Sequence, residues 1–518
     1  MKNVKIDYKR WMLYLFILIA AVIPLMVCSK CSPLYPFNDW PDINIFFTMG
    51  KGLMNGYVPY LDLVDHKGPY LYLAAGIGYL FSHTGFGGYF LLELLSMFFF
   101  LLYTRKIVRL YTKGPVLWLL PILCTGITAS KSFVHGGSLE ELCLGIFAYA
   151  VYSLLSWLRS DEKRPMSRVT LVMNGFWAGV FLWSKFTLLG FYMAWIAVAA
   201  LRELGKKQLR ELFRSVGLFL AGMLAATIPW LIYFSINGAL KEWFEIYLWD
   251  NIFGYTSWGE ISLIRKIQEA GLSILRFLKD RENRYYSVWI ITGALFYAVF
   301  PVRIISWKEK FSLLLLGMAM GLGLFIGGNL QDYYGLPLAV FCAFGILGPA
   351  VVLDRPAKWL QEHLKKGAQY LYVLIFPGML ILAAWTGCRL SSNAYLLSVD
   401  KSAMPQFRFA ERIQRAGDKS VLNYGFLDGG FYTVLDETPK VRYFCVTNLN
   451  PDRMLLEQNN YVADRKTHFV VCWKAYPAEE EELKNLPIVT EFYELVDYVY
   501  FYLEADIRTY ALYELREE

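Results

Sequence analysis

Residues 69–82, PYLYLAAGIGYLFS, decide how the chain is read. The stretch is apolar throughout, yet a helix needs about 20 such residues to cross a bilayer. If it crosses, every later connection changes sides. Flanking charge settles the choice, because lysine and arginine mark the cytoplasmic side. With 69–82 set aside as an interfacial or re-entrant helix, eleven apolar segments remain. They lie near 11–28, 87–103, 115–130, 139–157, 169–184, 186–201, 215–235, 286–301, 311–327, 335–353 and 369–387. The basic stretches 1–10, 105–113, 159–168, 202–214, 303–310 and 355–366 then all share one side. Counting 69–82 as a span would move the 13 basic residues of 105–113, 159–168 and 202–214 to the other side. The sequence therefore predicts an N-terminus inside and a C-terminus outside. One connection, 236–285, departs from the pattern with seven basic residues.

Composition agrees. Of 518 residues, 56% are hydrophobic and 18% charged, against about 45–50% and about 25% in a soluble domain. The mean hydropathy is +0.36. Soluble, disordered, collagenous and nucleic-acid-binding classes are excluded. Eight cysteines are too few for a disulfide scaffold. Cys28 and Cys31 form a C-x-x-C at the outer end of the first span, open to a redox or an external disulfide reading. The run Cys28-Ser29-Lys30-Cys31 is no small-residue cleavage site, so the first segment reads as a retained span.

The expected fold is mainly α: a polytopic transmembrane helical bundle of about eleven spans, occupying 1–389. Charge rises and the apolar runs shorten over 390–518. There, 421–424, 441–446 and 468–473 read as buried strands, and 407–416, 452–461 and 478–486 as helices. Such alternation predicts a small extracytoplasmic α/β domain.

Between the first two spans, the outer loop 29–86 carries the densest chemistry, NDWPDINIFFTMGKGLMNGYVPYLDLVDHKGP at 38–69. Asp39, Trp40 and Pro41 read as a helix start with Asp39 as capping acid. Ile43, Phe46, Phe47, Gly50, Leu53 and Met54 follow on one face, with Asn44, Thr48, Lys51 and Asn55 on the other. Gly56 is the expected stop. The pattern predicts an amphipathic helix lying flat at the bilayer surface. Spacing alone reads Asp39 and Asp42 as stabilising the positive end of that helix. A sharper reading makes one of them a general base, since a carboxylate beside an apolar surface has a raised pKa. Downstream, Asp62, Asp65, His66 and Lys67 form either a solvated loop or a phosphate-headgroup site centred on Lys67.

At these residues the chain resembles the GT-C superfamily of integral-membrane glycosyltransferases. It looks closest to the branch of dolichyl-phosphate-mannose protein mannosyltransferases and the lipid A aminoarabinose transferase. The first outer loop of that family runs as an acid, an amphipathic helix, a glycine, a Pro-Tyr pair and a lysine before proline. These match Asp42, 43–55, Gly56, Pro59-Tyr60, Asp62 and Lys67-Gly68-Pro69, and bacterial members share the run Asp65-His66-Lys67-Gly68-Pro69. Weaker matches follow at 136–141 (GGSLEE), 183–186 (WSKF) and 327–334 (GGNLQDYY). Two departures stand out: Ile43 follows Asp42 where relatives pair two acids, and Asp332 replaces a histidine before the tyrosines.

The resemblance implies transfer of a sugar from a polyprenyl-phosphate donor to a glycan, lipid or protein acceptor on the outer face, with inversion. It implies Asp42 as base and Lys67 and Lys185 as phosphate partners. Asp39, Asp65, His66, Glu140, Glu141, Asp332, Tyr333 and Tyr334 are expected to contact acceptor or sugar. Glu140 and Glu141 also read simply as acids at a helix start. A cluster of Asp42 with a glutamate suits Mg²⁺ or Mn²⁺, though no spacing specifies a metal site. Glu93 is an intramembrane acid, either functional or snorkelling. His135 reads as a surface residue. Arg265, Lys266, Arg276, Lys279, Arg281 and Arg284 fit a solvated amphipathic helix or an anionic-lipid surface. No Asn-x-Ser/Thr sequon occurs, as suits a bacterial plasma membrane. A flippase for lipid-linked glycans would place polar pairs at mid-depth, whereas these gather at one rim. A polysaccharide ligase or polymerase of related architecture remains a rival.

Overall fold

The computed structural model describes residues 8–161, 164–254, 261–302, 304–328, 331–364, 366–503 and 506–517. Each of the eleven apolar segments contains helix. Tyr8–Cys28, Gly87–Arg109, Leu139–Leu158, Phe186–Gly205, Leu209–Ile236 and Asp332–Trp359 are long and apolar enough to cross a membrane. Val116–Thr128, Arg168–Leu182 and Leu374–Leu390 are shorter apolar helices. Arg284–Val299 and Trp307–Phe325 complete the series. The chain is a mainly helical membrane protein. Cys28 and Cys31 are both buried free thiols rather than a disulfide.

Two compact units form. The first runs to Leu34, resumes over Phe90–Ile228, and continues from the helix Leu263–Lys279 to Tyr395. The second joins Tyr35–Tyr89, the stretch beginning at Pro229, and the tail from Leu396. In the second unit, α2 (Pro41–Met54) and α3 (Pro69–Phe81) follow the first span, α1 (Tyr8–Cys28). At 13 residues and about 1.5 Å per residue, α3 is far short of a hydrocarbon core of about 30 Å. It packs on α2 through glycine: a Cβ on Gly50 would overlap Gly76 N and lie 2.7 Å from Tyr72 O.

The structure corrects three expectations for this region. The N-cap of α2 is Trp40, not Asp39. The helix offers no free apolar face to a bilayer surface, because protein covers both its faces. Every residue from Ile43 to Gly52 is buried. Its apolar face meets α3, and its polar face receives the tail. Thr48 Oγ1 donates to Asp428 Oδ2 at 2.7 Å, Lys51 Nζ to Tyr432 O at 2.6 Å, and Asn55 Nδ2 to Thr438 Oγ1 at 3.2 Å. Buried polar groups need such partners. Gly56 does end the helix, at φ 88°.

The tail is α/β. Strands β1 (Val421–Asn423), β2 (Phe469–Lys474), β3 (Tyr493–Leu503) and β4 (Asp506–Leu515) form one sheet in the order β1-β2-β4-β3. β1 runs parallel to β2, and β4 is antiparallel to both its neighbours. Helices Pro405–Ile413, Pro451–Ala463 and Glu480–Lys484 lie where helical stretches were expected. The third correction concerns 441–446, which is no strand. Its backbone is satisfied piecemeal: Arg442 O accepts from Val64 N, Tyr443 O from Gln458 Nε2, Phe444 O from Tyr432 Oη, and Val446 N donates to Phe426 O.

Candidate active site

In the second unit, the start of α2 is fixed from within. Asn44 Nδ2 donates to Asn38 O at 3.0 Å and to Trp40 O at 2.9 Å. Its Oδ1 accepts from Thr433 Oγ1 at 3.2 Å. The turn that carries Asp42 is thereby tied to the residues before it and to the tail. Asn44 was legible as one residue of a polar stripe; its positioning role was not. Asp39 and Asp42 are both partly exposed, and the charge of Asp39 reaches Tyr510 on β4.

The loop after α2 folds around Tyr60, which adopts φ 73°, a costly conformation for a residue with a side chain. Tyr60 is wholly buried, and its hydroxyl donates to Lys67 O at 2.6 Å. Asp62 accepts from Val58 N at 2.7 Å and so closes the turn. These bonds present Asp65, His66 and Lys67 as a relay. Tyr72 Oη donates to Asp65 Oδ2 at 2.8 Å, and Asp65 Oδ1 lies 3.3 Å from His66 Nδ1. Lys67 Nζ lies 2.8 Å from His66 Nε2.

Burial opposes the Asp65 anion, yet His66, Lys67 and Tyr72 together hold its carboxyl down at about 2. Burial and the Lys67 charge hold the His66 imidazole below its ordinary value, against the pull of Asp65 and Asp42. A neutral imidazole placed so carries its proton on Nδ1, facing Asp65, and accepts from the Lys67 ammonium at Nε2. Lys67 is thus a cation in a fixed place, partly exposed, and able to neutralise an anionic oxygen.

In the first unit, a second cluster gathers four of the expected residues. Lys185 Nζ lies 2.5 Å from Glu140 Oε1, 3.7 Å from the Tyr334 ring centre and 5.3 Å from that of Tyr333. His135, expected at the surface, stands 5.6 Å from Tyr333, ring to ring. Two other residues turn elsewhere. Asp332 lies 3.3 Å from Lys131 Nζ, and Glu141 turns to its own helix start and to Glu93. In the 327–334 motif, Asn329 and Leu330 lie outside the described residues.

Gly136 and Gly137 both have positive φ, 67° and 80°, which glycine alone adopts without cost. Gly137 N donates to Glu93 Oε1 at 2.6 Å and to Glu141 Oε2 at 2.9 Å. Ser29 Oγ donates to Glu93 Oε2 at 2.7 Å, and Ser138 Oγ to Glu141 Oε1 at 3.1 Å. Glu93 is 2% exposed and does not snorkel. Among the described residues, no three histidine, cysteine or acidic side chains gather as metal ligands.

No family profile matches the chain, and no curated protein matches it significantly. Solved structures do. The fold is shared with ArnT from Cupriavidus metallidurans. The structure of ArnT bound to undecaprenyl phosphate is 11% identical with a TM-score of 0.57, over 97% of this chain and 98% of that one. Apo ArnT is 12% identical at a TM-score of 0.58, over 98% of each chain. At such identity the likeness concerns fold, and the expected fold class is borne out.

Proposed function

We propose that the chain transfers a sugar from a polyprenyl phosphate to a cell-envelope acceptor, at the extracytoplasmic face of a bacterial plasma membrane. The near-complete overlap with a fold that holds undecaprenyl phosphate carries this reading. In the step, the acceptor oxygen attacks the anomeric carbon, the bond from that carbon to the phosphate oxygen breaks, and the acceptor proton passes to Asp42. Inversion follows from a single displacement. General-base help of this kind contributes about 10²–10⁴-fold. Charge accumulating on the departing phosphate needs fixed cations. Lys67, pinned by His66 and Tyr60, suits that task. Lys185 is the second candidate, and binding a phosphate there requires Glu140 to share it. Catalysis is assigned to 1–389, and 390–518 is read as an extracytoplasmic domain.

The test uses purified protein with a polyprenyl-phosphate sugar. Asp42→Asn is expected to lose about 10²-fold or more in turnover while binding donor within twofold of wild type. Full turnover in that variant would remove Asp42 as base. Lys67→Ala is expected to weaken donor binding by about tenfold or more; unchanged affinity would count against its phosphate role.

A further inference from the structure

A cavity of about 530 Å³ borders His66, within the roughly 300–1,000 Å³ of small-molecule sites. Its walls come from 64–66, 241–250 and 442–454, all in the second unit. Val64, Tyr443 and Met454 form a buried apolar floor with Ile246 packed against it. Asn251 Nδ2 donates to His66 O at 2.7 Å, which fastens one wall to the Asp65–His66–Lys67 relay.

The polar lining is balanced. Lys241, Arg442 and Arg453 line it together with Glu242, Glu245 and Asp250, and Lys241 Nζ lies 3.8 Å from Glu245 Oε1, so the cavity favours neither a strong anion nor a strong cation. Glu242 and Arg442 both line it, a carboxylate and a guanidinium. One needs a donor and the other an acceptor. A pair of neighbouring hydroxyls supplies both. Trp249 also lines the cavity and is 54% exposed, offering an aromatic surface to the C–H face of a sugar ring.

We propose that this cavity binds an uncharged saccharide through Glu242, Arg442 and Trp249. Its assignment as the acceptor end of the transfer rests on the transferase reading; the binding itself does not. Adjacency to His66 would place that saccharide beside the residues expected to hold the donor phosphate.

The experiment titrates full-length protein in lipid nanodiscs with chitotriose, maltotriose and mannotriose, followed by saturation-transfer NMR. At least one is expected to bind. Glu242→Gln, nearly the same shape, and Trp249→Ala should each weaken that binding by about tenfold or more, with affinity for undecaprenyl phosphate within twofold of wild type. The proposal falls if none of the three binds, or if both variants bind at wild-type strength. Saccharide binding without transfer from any polyprenyl-phosphate sugar would sink the transferase reading and leave the cavity site standing. Transfer that depends on Asp42 while all three saccharides fail to bind would do the reverse.

Discussion

Lys51 shows how much a single side chain can carry in this chain. It is completely buried, donates to Tyr432 O and lies 3.8 Å from Asp436. Burial pulls its ammonium down to about 8, against Asp436, Asp428 and Glu437. A lysine whose folded pKa is depressed binds its proton more weakly folded than unfolded. Stability should therefore rise with pH between about 8 and the ordinary 10.5, by about 1.4 kcal/mol per unit and about 3 kcal/mol in all. Thermal melts of wild type and Lys51→Met across that window check this; equal slopes would refute it. The sequence made Lys51 visible as one of four residues on a polar stripe. It could not show what the stripe binds, because Asp428, Tyr432 and Thr438 lie some 380 positions away. Asp42, Asp65 and Lys67 were legible because charge is scarce in so apolar a chain. Glu93 was noticed, but its sharing of Gly137 N with Glu141 was not readable from spacing.

Among elements, the short pair α2 and α3 is the most constrained. Each was legible from periodicity and length, whereas their contact depends on two glycines whose neighbours no linear pattern reveals. Even one methyl group at Gly50 would meet backbone, so Gly50→Ala should destabilise by about 1–3 kcal/mol. Gly217, within a long helix, has open space around its would-be Cβ. Gly217→Ala should be neutral or mildly stabilising. Thermal midpoints of the two variants in one detergent check the contrast, and a Gly50→Ala midpoint at or above wild type would be inconsistent with the crossing. Elsewhere, 441–446 looked like a strand because an apolar run suits a ladder and a side-chain-tethered loop equally well. β3 and β4 went unread, although Tyr493–Leu503 is rich in aromatic and β-branched residues, the signal that could have found them.

For the molecule as a whole, hydrophobic length gave the helical membrane bundle directly, since a bilayer imposes one requirement on every span. The grouping into units was not legible, because it joins 35–89 to a tail that begins at Leu396. It predicts how the chain behaves when cut. A chain ending at Tyr395 lacks Asp428, Tyr432 and Thr433, so the polar face of α2 loses its partners. Trypsin should then cleave at Lys51 and Lys67, sites expected to resist it in the full chain. Limited proteolysis read by mass spectrometry checks this, and equal resistance in both chains would count against the pairing.

The same pairing sets a clock on biosynthesis. Lys51 and the carbonyl that receives it are 381 residues apart. At about 5–20 residues per second, the ribosome delivers that carbonyl roughly 20–75 s after Lys51. Throughout that interval the newborn α2 holds a cation, an amide and a hydroxyl with nothing of its own to bind. The first hairpin made is therefore among the last to be finished, and the cell must shelter it meanwhile.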